Sequence, residues 1–210
     1  MANRNDESPA FEKKVPDGDN RERLVCTSCG WIHYDNPKVV VGAVVVHEGE
    51  FLLCRRAIEP RTGYWTMPAG FLEEHESTED GARREAMEEA GAELAIEGLL
   101  AVYNLPRISQ VQLIYKARLA TPGFHAGEES LEVRLFPWNR IPWEELAFPT
   151  VHWALHQYRE VENREVFAPF GNPICCLLYT SDAADDSKRV GGGGGGGGGW
   201  GGGGGGGGGG

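Results

Sequence analysis

Residues 68–92 read PAGFLEEHESTEDGARREAMEEAGA, and the rest of the chain is organised around them. Ser77 with Asp80 three residues later makes an N-capping pair, and Gly91 stands where a left-handed C-cap falls. The pattern therefore predicts one helix ending near Ala90. Ala82, Ala86 and Ala90 recur every four residues, which leaves one side small enough to pack closely on a sheet. Glu85, Glu88 and Glu89 follow Arg84 at offsets that place them together on another face. Like charges at those offsets repel, so the helix needs positive charge opposite them. A hard divalent cation bound through oxygen ligands meets that need.

Outward from the helix, the pattern changes to strands. Residues 39–46 (VVVGAVVV) are rich in β-branched side chains. Residues 47–50 read as a hairpin turn, and residues 51–56 (FLLCRR) as the returning strand. Cys54 within it reads as a sheet residue rather than a nucleophile. Residues 64–68 form a short extended piece leading into Ala69 and Gly70. After the helix come strand-like stretches at 93–105, 111–119 and 131–138, the last preceded by an acidic loop. Residues 150–160 read as a second helix, with Val151, Ala154, Leu155 and Tyr158 on one face. Residues 166–170 are expected to be the last ordered piece. Strands grouped between two helices predict an α/β fold, a mixed β-sheet sandwiched between helices.

The two ends read differently. Residues 1–20 are polar, with a turn at Pro16-Asp17-Gly18, and are expected to form a mobile arm. Cys26 and Cys29 form a C-x-x-C followed by Gly30, which is half of a zinc knuckle. The other half is absent, and His33 is the one further soft ligand close in sequence. Zinc is therefore not expected, and a surface turn is the plainer reading. Residues 176–186 (CLLYTSDAADD) resemble a translated sequencing adapter, and residues 191–210 are glycine except Trp200. A glycine run has no apolar face to offset its ordering entropy. The organisation expected is an N-terminal arm with a degenerate half ribbon (1–36), a main domain carrying the glutamate helix (37–174) and a disordered tail of adapter and poly-glycine origin (175–210).

The formal net charge is −11. An acidic chain is a poor candidate for charge-driven nucleic-acid binding. No apolar run approaches membrane-spanning length, and the first residues lack a signal-peptide core. Five cysteines without a paired framework suggest a cytoplasmic protein.

The spacing Gly70-x5-Glu76-x7-Arg84-Glu85-Ala86-x-Glu88-Glu89-x-Gly91-Ala92 resembles the Nudix box at each defining position. The run from Cys29 to Val46, with Tyr34 to Lys38, is similar to the linker between a zinc ribbon and a Nudix domain. The combination resembles the ribbon-linked bacterial and plastid members that hydrolyse ADP-ribose and FAD. The sequence departs from them at the first cysteine pair. The resemblance implies Mg²⁺- or Mn²⁺-dependent hydrolysis of a nucleoside diphosphate linked to another group. It implies Glu85 and Glu89 as the main metal carboxylates, Glu88 as an assistant and the Ala69 carbonyl as a further ligand. It also implies that Arg84 orients the glutamates, with Glu76 as a partner. In this family a base often lies on a late loop. Glu129 is the first candidate here and Glu128 the second, against the plain reading of a solvated acidic loop.

The substrate is less defined. Pro106 lies 15 residues after Gly91, as in the ADP-ribose group of the family. Trp65, Tyr103 and Tyr115 are candidates to stack on adenine or flavin, although each has an ordinary role as a core aromatic. The expectation is a small-molecule dinucleotide as partner, with no nucleic acid and no membrane; a homodimer is compatible with it. Two rivals are a non-catalytic Nudix-like sensor of ADP-ribose or NAD metabolites and a zinc-ribbon nucleic-acid binder. The intact box speaks against the first, and missing cysteines and acidic charge against the second.

Overall fold

The computed structural model describes residues 10–174. The adapter-like and glycine-rich stretch at 175–210 lies outside the described residues. The first three strands are Phe11–Lys14 (β1), Arg23–Cys26 (β2) and Ile32–His33 (β3). Then come Lys38–His47 (β4), Glu50–Arg56 (β5), Trp65–Thr66 (β6), Ala69–Phe71 (β7), Leu94–Leu105 (β8), Gln110–Leu119 (β9) and Ser130–Pro137 (β10). Helix Thr78–Ala90 (α1) lies between β7 and β8, and helix Pro149–Val161 (α2) follows β10.

The larger sheet has the order β10-β5-β4-β9-β8, with β6 on β5 and β7 on β4. Only β4 and β9 run parallel; the other pairs are antiparallel. β5 meets β4 at just two register positions, Val46 with Phe51 and His47 with Glu50. Farther along, β7 lies beside β4, from Val40 against Phe71 to Gly42 against Ala69. The start of the box is thereby welded to the middle of the sheet.

Alternation along the strands divides the core between the two sheet faces. On one face Val41, Ala43, Val45, Leu52, Cys54, Tyr115 and Ala117 pack with Ala82, Ala86 and Ala90 of α1. The alanine side of α1 faces the sheet as its spacing predicts. On the other face lies α2: Phe51 meets Tyr158, and Tyr103 meets Trp153, both edge to face. The mixed sheet between helices agrees with the reading of the sequence. Lys116 of β9 is buried, and its Nζ donates to the carbonyls of Val161, Glu162 and Arg164 at 3.0–3.2 Å. A cation there satisfies the orphan carbonyls at the end of α2 and suits its dipole. No helix among the described residues is long and apolar enough to cross a membrane.

The N-terminal arm requires a correction. Residues 11–14 are not a mobile arm but strand β1, paired with β2 from Phe11 against Cys26 to Lys14 against Arg23. β3 completes a small three-stranded sheet. The sequence FEKK is short, polar and wholly exposed, so it carries no burial pattern; pairing with a distant segment makes it a strand.

Candidate functional site

The site begins with how α1 is held. Ser77 Oγ accepts from the Asp80 N–H at 3.1 Å and donates to Asp80 Oδ2 at 2.6 Å, so Asp serves in the capping pair. Gly91 closes the helix at φ 56°, and its N–H donates to the Met87 carbonyl at 2.9 Å. Any residue with a Cβ is strained in that conformation. The loop before β10 adds a second clamp. The His125 N–H donates to the Ala90 carbonyl at 2.8 Å, and the Gly127 N–H to the Glu89 carbonyl at 3.1 Å. These bonds satisfy carbonyls that a helix end leaves without partners. They also fasten the loop carrying Glu129 to the last turn of α1.

Arg84 is the organising cation. Its Nε and one terminal nitrogen grip both oxygens of Glu76, at 3.1 and 2.9 Å. The other terminal nitrogen donates to Glu85 at 2.8 Å and to Glu88 at 2.9 Å, and the Phe71 carbonyl takes a further bond at 2.9 Å. Such a fork fixes geometry as well as charge. Its hydrogen bonds hold the Glu76 carboxyl below the usual range, helped by the Glu73 N–H. The expected Arg84–Glu76 pair is present in this geometry.

Glu85 and Glu89 are buried, at 8% and 6% exposed, whereas Glu88 is exposed. The Glu85 carboxyl lies directly over Gly70, where any Cβ would collide with it. Glu89 accepts from the Ala69 N–H at 3.1 Å. The start of β7 is therefore the floor on which both carboxylates rest. Burial pushes the Glu85 carboxyl up, opposed by the Arg84 hydrogen bond. Burial also pushes Glu89 up to about 8, opposed by the Ala69 N–H and by the charge of Arg56. Glu129 adds its negative charge to both. The structure thus brings Glu85, Glu89 and Glu129 together, with Glu88 at the rim beside Arg84.

Three candidates are placed elsewhere. Trp65, Tyr103 and Tyr115 are buried, at 5%, 0% and 5% exposed, and do not offer a stacking face. Trp65 packs edge-on against Phe136 at 4.9 Å. The Tyr103 hydroxyl donates to Gln157 of α2 at 2.5 Å, and the Tyr115 hydroxyl bonds Thr78 at 2.6 Å. They are core aromatics whose polar ends tie the sheet to the helices. The residue that sequence reasoning missed is Arg56. It shares a face of β5 with Cys54, and its charge reaches Glu89. Its Nε donates to the Pro60 carbonyl at 2.8 Å, and its guanidinium lies over the Phe148 ring, 5.3 Å from the centroid. The signal available was the two-residue spacing from Cys54.

Among the described residues, no three His, Cys, Asp or Glu side chains converge tightly enough to enclose an ion unaided. Arg84 takes one oxygen each of Glu85 and Glu88. The donor set nevertheless suits a hard cation: it offers the carboxylate oxygens of Glu85 and Glu89, the second a buried carboxyl that a bound cation would hold ionised. Mg²⁺ commonly takes one or two carboxylates and completes its shell with water and substrate phosphate.

A box helix laid on a mixed sheet, with its carboxylates aimed along the β7 floor, defines a pyrophosphohydrolase of the Nudix type. The family model described as NUDIX domain matches residues 36–161, and the chain belongs to that family. A second model, Nudix N-terminal, matches residues 8–35. A solved NUDIX hydrolase from Nitrosomonas europaea is 43% identical, with a TM-score of 0.73, covering 81% of this chain and 98% of that one. An ADP-ribose pyrophosphatase of Methanocaldococcus jannaschii is 29% identical over 55% of this chain and 69% of its own length. A MutT-like protein of Streptomyces ambofaciens is 35% identical, but the match spans only 38% of this chain and 49% of that protein.

Proposed function

We propose that the protein hydrolyses the pyrophosphate bond of ADP-ribose or a closely related adenine dinucleotide such as FAD, releasing AMP. The observation that carries this is the pair of buried carboxyls, Glu85 and Glu89, on the β7 floor, near enough to Glu129 and Arg56 for the charges of those residues to act on Glu89. With ADP-ribose, one water is consumed, and the products are AMP and ribose 5-phosphate. Glu85 and Glu89 are the residues that would hold Mg²⁺ or Mn²⁺, with the Ala69 backbone at the same floor and Glu88 at the rim. A bound divalent cation neutralises phosphate oxygens and lowers the pKa of water. Arg84 fixes the rotamers of Glu85 and Glu88. Arg56 supplies a second positive charge for the diphosphate, in an acidic site that otherwise repels it. Glu129, whose charge reaches both Glu85 and Glu89, is the candidate to take a proton from the attacking water.

One point favours ADP-ribose over FAD. The Methanocaldococcus jannaschii relative carries the name ADP-ribose pyrophosphatase. The test is a screen of dinucleotides and nucleotide sugars with millimolar Mg²⁺ or Mn²⁺, following AMP by chromatography. ADP-ribose is expected to give the highest kcat/KM, and EDTA to abolish turnover. Absence of AMP from every adenine dinucleotide would overturn the proposal.

A further inference from the structure

We propose that Cys26 and Cys29 form a redox-active dithiol, an oxidation site that closes to an intramolecular disulfide on reaction with a low-molecular-weight disulfide. The two residues bracket the tight turn between β2 and β3. The Gly30 N–H donates to the Cys26 carbonyl at 2.9 Å, and the Cys26 N–H donates to the Trp31 carbonyl at 2.8 Å. Gly30 sits at φ 75°, which lets the chain reverse there. This is one helix-like turn closed by an i→i+4 bond, in which residues i and i+3 lie about 5 Å apart at Cα. Disulfides span Cα separations of about 4.4–6.8 Å, so the pair can close without unfolding the sheet.

The two sulfurs differ in a useful way. Cys29 is exposed and open to an external reagent. Cys26 is buried, and its sulfur faces the backbone N–H groups of Cys29 and Ser28 and the Cys29 thiol. Those donors hold the Cys26 thiol below the usual range. Thiolates are the attacking species in exchange chemistry, and C-x-x-C turns favour them. Among the described residues no third His, Cys, Asp or Glu joins the pair to complete a metal site. His33, the neighbour in sequence, packs its ring against Trp31 at 5.5 Å. Two thiols and no further ligand make a poor tetrahedral zinc site but a complete dithiol.

The reaction balances as follows. The Cys29 thiolate attacks one sulfur of the external disulfide, and the first small thiol leaves. The Cys26 thiolate then attacks the Cys29 sulfur of the mixed disulfide. The Cys26–Cys29 bond forms, and the second small thiol leaves. The protein loses two protons and two electrons, and the external disulfide gains both to become two thiols.

The test uses the full chain and oxidised glutathione, and reads mass rather than hydrolysis. Intact mass is expected to fall by two hydrogens with no glutathione retained, and peptide mapping to give a Cys26–Cys29 link that dithiothreitol reverses. Fluorescence of Trp31, beside the pair, is expected to change on closure. In Cys26→Ser, glutathione is expected to remain on Cys29, since nothing displaces it. Three results would overturn the proposal: a link to Cys54, Cys175 or Cys176, a glutathione adduct on the wild-type protein that never resolves, or one zinc per chain in the purified protein that blocks oxidation. None of these bears on the hydrolase reading.

Discussion

Gly70 carries no side chain because Glu85 occupies the space a Cβ would need. One glycine thereby admits one carboxylate to the floor of the site, and Glu89 takes the neighbouring N–H of Ala69. At this scale the sequence was informative where charge was concerned. Three glutamates behind one arginine have a costly local arrangement, and the cost itself pointed to a ligand. Aromatics carry no such sign: Trp65, Tyr103 and Tyr115 have the composition of a stacking site but lie in the core. Replacing Glu89 with Gln keeps the shape and removes the charge. Turnover is expected to fall on the order of a thousandfold, about 4 kcal/mol of barrier. Near-normal kcat in that variant would refute Glu89 as a metal carboxylate. The same residue predicts a pH dependence in metal-free protein. Burial sets its folded value at about 8, against about 4.3 for a free glutamate. Below the lower value both states hold the proton, and no penalty applies. Between the two, the unfolded chain has released a proton that the folded chain keeps, so stability falls as pH rises. The loss is complete above about pH 8. Melting temperature in EDTA is expected to drop from pH 5 to 8.5, less steeply in Glu89→Gln, and to recover on adding Mg²⁺. Identical slopes in the two proteins would contradict the assignment.

At the scale of elements, the box helix is clamped at both ends by different means. Its N-terminus is local, Ser77 with Asp80, and was legible from spacing. Its C-terminus is partly distant: the loop before β10 donates to the Glu89 and Ala90 carbonyls from some 35 residues away. No local pattern announces such a contact, so Glu129 entered as a candidate base through the family resemblance alone, beside the plain reading of a solvated acidic loop. Gly127 is the tight point, since a Cβ there would run into the Glu88 carbonyl. Gly127→Ala is expected to lift the loop and separate Glu129 from Glu85 and Glu89. A misplacement of this order costs roughly a hundredfold in kcat. Overall unfolding is expected to remain cooperative, because the α1–sheet core is untouched. A kinetic measurement with saturating Mg²⁺ checks this; unchanged kcat would show that the loop does not position the site. The N-terminal strand teaches the same lesson. Phe11–Lys14 is a strand only because Arg23–Cys26 lies beside it.

For the molecule as a whole, the strongly periodic elements were legible and the junctions between layers were not. β4, α1 and α2 follow from β-branched runs and four-residue spacings. The tie between sheet and α2 depends on Lys116, an interior lysine serving three carbonyls, which no strand pattern would suggest. A similar closure links Phe170 to β8: its N–H donates to Leu100 and its carbonyl accepts from Val102. That contact places the functional boundary of the chain beyond α2. It also makes the last prediction sharp. The box, its clamps, the Phe170 bridge and the core that the described residues form lie within residues 10–174. Residues 175–210 consist largely of glycine and polar side chains, a composition with little apolar surface to bury. Ending the chain at residue 174 is therefore expected to leave melting temperature and kcat/KM for ADP-ribose unchanged. Ending it at residue 165 removes the Phe170 bridge and uncovers Lys116 near Phe167, whose ring lies 5.8 Å from Nζ. That shorter chain is expected to melt several degrees lower, as loss of roughly 1–2 kcal/mol does in a domain of this size. Parallel thermal melts of the three lengths decide the matter: a loss already present at 174 would give the glycine-rich segment a structural role.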